Sequence, residues 1–390
     1  MRTIYLDQAA TSKPKQEVIE SMMPYLCGDK WHNPSSLYGV GTKTKEDIEN
    51  ARKTVANYIG ADADEIYFTS GGSESNCMAL RGFVDNVIDN GYYPVIITSS
   101  IEHKSILSCV NILTRRDVDI IELDVDCEGF VDIDELEKFL SHCYAGESYR
   151  VLVSVQFGNN EIGVVQPIKE ISEVVHHYGA ILHVDAVQAM GQVPISIKNL
   201  DIDMMSVSGH KIGAPKGVGF LYKKNDVEIT PLIFGSQEGG LRGGTENVAY
   251  IIGMAKAVEL SKCNGLRKMR VINYRDYFIE SLEDIGCKLI GSRENRLPNN
   301  VNVMLPEGVG AEETMLMLDM SGIMCSTGSA CNSRMIEPSH VLKAIGLTDE
   351  ESARCIRLTL PDDITVEDID YVVEEIKKCI KLLGGIMDNV

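Results

Sequence analysis

Ile181-Leu-His-Val-Asp-Ala-Val-Gln188 and Met204-Met-Ser-Val-Ser-Gly-His-Lys-Ile-Gly213 decide how this chain is read. Each is a short apolar run that breaks off into polar residues, the pattern of a strand whose end faces a cleft. The first closes with a carboxylate and an amide, Asp185 and Gln188; the second closes with Ser208, His210 and Lys211. The separation of Asp185 from Lys211 is enough for one crossover and a return to a neighbouring strand end. A lysine so placed is either a cleft residue or an ordinary solvated charge.

Similar runs lie on both sides: Glu65–Thr69, Val95–Thr98, Ile120–Leu123, Val151–Val155 and Gly219–Tyr222. Helical patterns separate several of them, from Thr44 to Ile59, from near Ser73 onward, and from Ile168 to Tyr178. Strands alternating with helices predict a mostly parallel sheet covered on both faces. After about Leu260 the texture changes. Long helical patterns, Leu266 to Ile285 and Val366 to Leu383, flank short strands such as Val301–Met304 and Ile356–Thr359. The expectation is an α/β protein with a large domain over 16–260. A smaller α+β domain is built from 1–15 and 261–390, and the ligand cleft lies at the carboxyl ends of the strands.

The 390 residues are 44 % apolar and 24 % charged, a globular mixture that argues against disorder. Lys plus Arg total 37 against 57 Asp plus Glu, a formal charge of −20. So acidic a surface repels nucleic acid and anionic membranes, and an anionic ligand must be captured by a few aimed donors. The N-terminal MRTIYLDQAA lacks the apolar core of a signal peptide, and no run reaches the ~18–20 apolar residues of a membrane helix. The eleven cysteines are odd in number and never spaced as CxxC. They suggest a reduced, cytoplasmic compartment, with most of them serving as small core residues. Gly217-Val-Gly219 precedes a strand instead of following one, so a dinucleotide fingerprint fails; there is no Walker loop and no HExxH.

Thr69-Ser-Gly-Gly-Ser-Glu-Ser75 runs from a strand through glycines into a helix. Gly72 and Ser73 there can cradle a phosphate on free N–H groups and a helix dipole, or can simply start a helix. An aspartate on one strand end, a lysine on the next and a phosphate cup on a third element form together the constellation that pyridoxal 5'-phosphate requires. The lysine forms the Schiff base, the aspartate keeps the pyridine nitrogen protonated, and the cup holds the phosphate.

Over essentially its whole length the chain resembles the NifS-type cysteine desulfurases of the class V aminotransferase superfamily. The resemblance rests on Tyr5–Thr11, Asn33-Pro-Ser-Ser36, Ser70–Asn76, Glu102-His-Lys104, Asn159-Asn-Glu-Ile-Gly163, His183–Gln188, Ser208-Gly-His-Lys211 and Arg242-Gly-Gly-Thr-Glu-Asn247. Its most specific part is Cys325-Ser-Thr-Gly-Ser-Ala-Cys331, continued by Asn332-Ser333, which resembles the family's nucleophile loop. The resemblance implies the type I fold of pyridoxal-phosphate enzymes. It also implies that Lys211 is the Schiff-base lysine and that His103 stacks on the ring and serves as acid and base. Asp185 pairs with the ring nitrogen, Gln188 with the phenolic oxygen, and Gly72, Ser73, Ser208 and His210 with the phosphate. Thr245 completes the phosphate site from the partner subunit of a homodimer with shared active sites. Arg357 matches the arginine that forks onto the substrate carboxylate, helped by Asn160, also counted among the cofactor contacts, and by Asn33. Cys331, on a mobile loop over about 322–335, is the nucleophile. Cys325 reads as filler.

The implied reaction converts L-cysteine to L-alanine and leaves the sulfur on Cys331 as a persulfide. The sulfur passes on to an acceptor protein, an iron–sulfur scaffold or a thiolation carrier. No metal is involved. The rivals are a class V aminotransferase or a selenocysteine lyase on the same scaffold, and a silent scaffold for sulfur-transfer partners. A transaminase has no use for the Cys331 thiol. Gly72-Ser73 stands where relatives often have Ala-Thr, and the chain ends soon after its last helix, which leaves the acceptor open.

Overall fold

The computed structural model describes residues 3–143, 148–262, 265–327 and 339–387. A two-residue strand, β1 (Ile4–Tyr5), opens the chain. The central sheet follows from β2 (Ile66–Thr69), β3 (Tyr93–Ser99), β4 (Asp119–Leu123), β5 (Tyr149–Gln156), β6 (Ile181–Asp185), β7 (Met204–Ser208) and β8 (Gly219–Lys223). Their order is β2-β8-β7-β6-β5-β3-β4, and only β8 runs against the others. The near-continuous apolar runs of β3, β5 and β6 are those of strands covered on both faces, as a parallel sheet demands.

Alternation along the strands sorts the side chains between two cores. Ile97, Val153, Val184 and Met205 face a cluster closed by α1 (Gln16–Leu26), α2 (Gly39–Ile59), α5 (Ile133–Cys143), α6 (Ile168–His177), α7 (Ile197–Leu200) and α8 (Val248–Ser261). Ile96, Leu152 and Met204 face the opposite cluster, closed by α3 (Gly72–Asp89) and α4 (Lys104–Leu113). The helical pattern expected from Thr44 starts earlier, at Gly39. Glycines hide that first turn from a propensity reading, and Gly41 is needed there because a Cβ would meet the Ser36 carbonyl at 2.7 Å.

The C-terminal part holds α9 (Gly265–Asp284), β9 (Lys288–Leu289), β10 (Asn300–Met304), α10 (Ala311–Met320) and β11 (Ile323–Met324). It ends with α11 (His340–Ala344), α12 (Asp349–Ser352), β12 (Cys355–Thr359) and α13 (Val366–Met387). β12, β10 and β9 form an antiparallel sheet, and β11 pairs in parallel with β1. Ile4 and Leu6 are buried with Phe278, Val301, Val303, Ile356, Leu358 and Ile376, so the first residues of the chain pack with its last third. The loop expected over about 322–335 begins, in its described part, as strand β11, and Ser326 then bridges Arg357. Of the eight cysteines described, Cys287, Cys355 and Cys379 are buried, Cys77, Cys109 and Cys325 are half-buried and Cys27 and Cys127 are exposed, so core packing takes a minority of the described cysteines and not the expected majority. No described helix is long and apolar enough to cross a membrane.

Candidate functional site

The alternation that buries Val184 and Met205 on one face turns Ser154, His183, Asp185, Ser206 and Ser208 toward α3. Deep in that layer, His183 lies between Ser154 Oγ (2.9 Å from Nδ1) and Ser206 Oγ (2.9 Å from Nε2). Burial depresses its pKa to about 3, so it is a neutral, hydrogen-bonded spacer. One step further along β6, at its carboxyl end, Asp185 is buried. Its Oδ1 accepts from Val187 N at 2.9 Å and its Oδ2 from Asn76 Nδ2 at 2.8 Å. The Asn76 amide also donates to Ser105 Oγ at 2.9 Å, and that hydroxyl lies 2.8 Å from His103 Nδ1. Because the Ser105 backbone N–H also donates to Nδ1 (3.1 Å), the ring proton of neutral His103 is on Nε2. Desolvation lowers the His103 pKa, Asp185 opposes this and Lys211 adds to it. A chain of hydrogen bonds therefore runs from the end of β6 through α3 to the start of α4.

The phosphate cup expected at Gly72 and Ser73 is the first turn of α3, entered through Gly71 at φ +152° and ψ −178° with no side-chain cap. The uncapped N–H groups and the positive end of an 18-residue helix suit an anion. Gly72 is buried against Val187 and Ser208, and Ser73 is exposed at the mouth. His210 is held by Thr11 Oγ1 at 3.2 Å, and desolvation with the neighbouring Lys211 lowers its pKa to about 4, so it stays neutral.

Lys211 and Gln188 converge on the N-terminal segment. Lys211 Nζ donates to the carbonyls of Ala9 and of Ala10, and Gln188 Nε2 donates to the Ala9 carbonyl at 3.0 Å. A cleft of about 840 Å³ opens beside Lys211, between that segment and Leu360–Asp363. Arg357, 3 % exposed on β12, reaches the same segment: Nη2 donates to Asp7 Oδ1 at 2.8 Å and Nη1 to the Asn160 carbonyl at 3.0 Å. Its buried Nε has no hydrogen-bond partner among the described residues. Two more carboxyls stand behind. Glu102 Oε1 accepts from Ser99 Oγ at 2.6 Å and Gln156 N at 3.0 Å, while burial pushes its pKa up to about 8. Glu161, its pKa raised by burial, accepts from Ser339 Oγ at 2.5 Å, and His340 Nε2 lies 2.9 Å from the Glu102 carbonyl.

Lys211, Asp185, Gln188, His103, Gly72, Ser73, Ser208 and His210 thus share the carboxyl edge of the sheet, and Arg357 and Asn160 meet each other nearby. Asn33 is exposed and its Oδ1 accepts only a local bond from Ser35 N, at 2.9 Å; no hydrogen bond described joins it to this group. Thr245 is exposed, on a segment tied to α3 by Arg242 Nε donating to Glu74 Oε1 at 2.8 Å. Cys331 lies outside the described residues, whereas Cys325 is half-buried with its thiol pushed up to about 12 by burial and Asp7. Asn76, Ser105 and Asp7 had no role in the sequence reading. Asn76 ends the Ser70–Asn76 motif, and a buried amide one turn into a helix that starts at a glycine cup was the available signal.

The family model for aminotransferase class-V matches residues 4–372. The chain belongs to that family. It is 44 % identical to the cysteine desulfurase IscS of Dictyoglomus turgidum, over 99 % of this chain and 96 % of that protein. It is 42 % identical to cysteine desulfurase IscS of Methanosarcina thermophila, over 98 % of this chain and 93 % of that one. Among solved structures, a NifS-like protein superposes with a TM-score of 0.89 at 32 % identity, covering 98 % of this chain and 100 % of its own. SspA in complex with cysteine superposes with a TM-score of 0.80 at 33 % identity, covering 92 % and 99 %. The fold of this class-V family member is therefore the type I fold.

Proposed function

We propose that the chain is a pyridoxal-phosphate-dependent cysteine desulfurase that converts L-cysteine to L-alanine and keeps the sulfur on Cys331 as a persulfide. The observation that carries this reading is the alignment of three groups at one sheet edge: the Asp185 carboxylate held by Asn76, Lys211 on the next strand end, and the uncapped start of α3. These residues fit the cofactor. Gly72, Ser73, Ser208 and His210 take its phosphate, Asp185 holds the proton on its ring nitrogen, and Gln188 donates to its phenolic oxygen. When bound, the group supplies an electron sink for a carbanion at the substrate Cα.

The protein's side chains do the rest. Arg357, with Asn160 and Asn33, binds the substrate carboxylate by exchanging its hold on Asp7 for the incoming anion. Lys211 leaves the Ala9 and Ala10 carbonyls and moves the Cα proton, and His103 delivers or accepts protons through Nε2. The Cys331 thiolate attacks the substrate sulfur as the carbon–sulfur bond breaks. The electron pair returns to substrate carbon, which takes a proton and leaves as alanine. Thiol plus cysteine become persulfide plus alanine, so atoms balance. The large unit 16–260 and the small unit from 1–15 and 261–390 flank this site. The enzyme acts in the cytoplasm as a homodimer with Thr245 supplied across the interface, supported by exposed apolar Trp31, Leu37 and Phe234. An iron–sulfur scaffold or a thiolation carrier receives the sulfur.

Intact mass after mixing with L-cysteine tests this, beside Cys331→Ala. Gain of sulfur mapped to Cys331, with alanine released, is expected. A protein that binds the cofactor yet gains no sulfur and makes no alanine would point to transamination, and equal turnover of selenocysteine without persulfide would point to a lyase.

A further inference from the structure

Two cysteines with no part in the proposed reaction meet where α3 packs on α4. The Cys109 and Cys77 sulfurs lie 3.9 Å apart, and both residues are half-exposed. They form the next rung of the helix contact made by Asn76 and Ser105, which are hydrogen-bonded at 2.9 Å. Ser105 and Cys109, four residues apart, share a face of α4, and Cys77 follows Asn76 directly on α3.

We propose that Cys77 and Cys109 are a modification site, a dithiol that a low-molecular-weight disulfide closes into a bond between α3 and α4. A disulfide needs a sulfur–sulfur distance of about 2.05 Å, so closing it draws the two sulfurs together from 3.9 Å across the α3–α4 contact. The pair is chemically asymmetric. The hydrogen bond from Cys109, helped by Arg81, lowers the Cys77 thiol, while Cys77 itself holds Cys109 high. Cys77 is therefore the thiol that attacks first. Its thiolate attacks one sulfur of the small disulfide, expels one small thiolate and becomes a mixed disulfide. Once Cys77 is capped its charge is gone, and Cys109 can release its proton to water. The Cys109 thiolate then attacks Cys77 Sγ and expels the second small thiol. Two protein thiols are oxidised and one small disulfide is reduced to two thiols.

The bond would lie beside Asn76, which holds Asp185, and one helical turn from Ser105, which holds His103. It is a covalent strap behind the site and not a part of it.

The test incubates the purified full-length protein with oxidised glutathione at pH 7.5, blocks free thiols and maps peptides without reduction. A Cys77–Cys109 linked peptide, lighter by two hydrogens, is expected. Cys109→Ser should trap glutathione on Cys77, and Cys77→Ser should leave Cys109 as a free thiol. Wild-type protein in which both cysteines alkylate freely, or each carries its own glutathione, overturns the proposal. Neither readout depends on Cys331 or on turnover, so it stands or falls apart from the desulfurase reading.

Discussion

At the scale of single residues, Arg357 is the most exacting. It is a buried guanidinium with two directional bonds, to Asp7 and to the Asn160 carbonyl, and a third nitrogen with no partner among the described residues. Lysine keeps the charge but loses the fork. Arg357→Lys is expected to lower kcat/KM for L-cysteine by about a hundredfold, roughly 2.7 kcal/mol, mainly through KM. Steady-state kinetics checks it; an unchanged KM would remove Arg357 from the carboxylate site. Glu102 carries a second prediction. Its folded pKa, about 8, stands above the ordinary 4.5 of a glutamate because burial disfavours the charge. The folded state therefore keeps a proton that the unfolded chain releases, and stability falls as pH rises through that window, by up to about 1 kcal/mol per unit. His183 works in the other direction: its folded pKa of about 3 lies below 6.5, so stability falls as pH drops below 6.5. The two slopes oppose each other between 4.5 and 6.5, leaving Glu102 dominant from 6.5 to 8. In urea unfolding, Glu102→Gln should flatten the decline above pH 6.5 and steepen the loss on acidification. Parallel profiles for variant and wild type would contradict this.

At the scale of elements, the turn between β2 and α3 opens the proposed anion cup. Gly71 occupies a backbone region open only to glycine, at φ +152°. A Cβ there would have room, its nearest neighbour being Ser208 Oγ at 3.7 Å, so the cost of Gly71→Ala is backbone strain alone. That cost is about 1–3 kcal/mol. Thermal unfolding should show the loss, and a cofactor titration should show weaker binding because the helix N–H groups are re-aimed. Normal binding in a destabilised variant would mean that the cup is not built on this turn. Strands and long helices were readable in the sequence because their apolar periods are strong, as in β5 and α6. The first turn of α2 and the two-residue strands β1 and β11 were not. Glycines and shortness leave no period to read, and pairing with a distant partner alone makes them strands.

At the scale of the molecule, the N-terminal segment joins the parts. Leu6 and Ala9 are strapped to Thr359, Asp7 to Arg357, and the Ala9 carbonyl to both Lys211 and Gln188. In the proposed homodimer, apolar Leu37, fully exposed, and Phe234, 81 % exposed, are the surfaces that the second copy covers. The double change Leu37→Asp and Phe234→Asp is expected to convert a dimer to a monomer in analytical ultracentrifugation and to abolish turnover while the monomer stays folded. A fully active monomer would reject the shared site. The acidic balance of the chain, −20 overall, acts at this scale too, since anions reach the site only through local donors.

By itself the sequence determined the alternation of strands and helices and which residue types stand at the strand ends. Local periodicity and motif chemistry are written in neighbouring residues. Asp185, Lys211 and the Gly72–Ser73 turn were singled out in that way, whereas His103 entered only through the family resemblance. Only the tertiary structure decided that Asn76 holds Asp185 and Ser105 holds His103. It alone set Asp7 against Arg357 and the Cys77 sulfur against that of Cys109. Those pairs depend on strand order, on which face of a helix meets the sheet, and on a chain terminus returning to the last strand. They are contacts between segments far apart in the chain, and no short-range pattern encodes them.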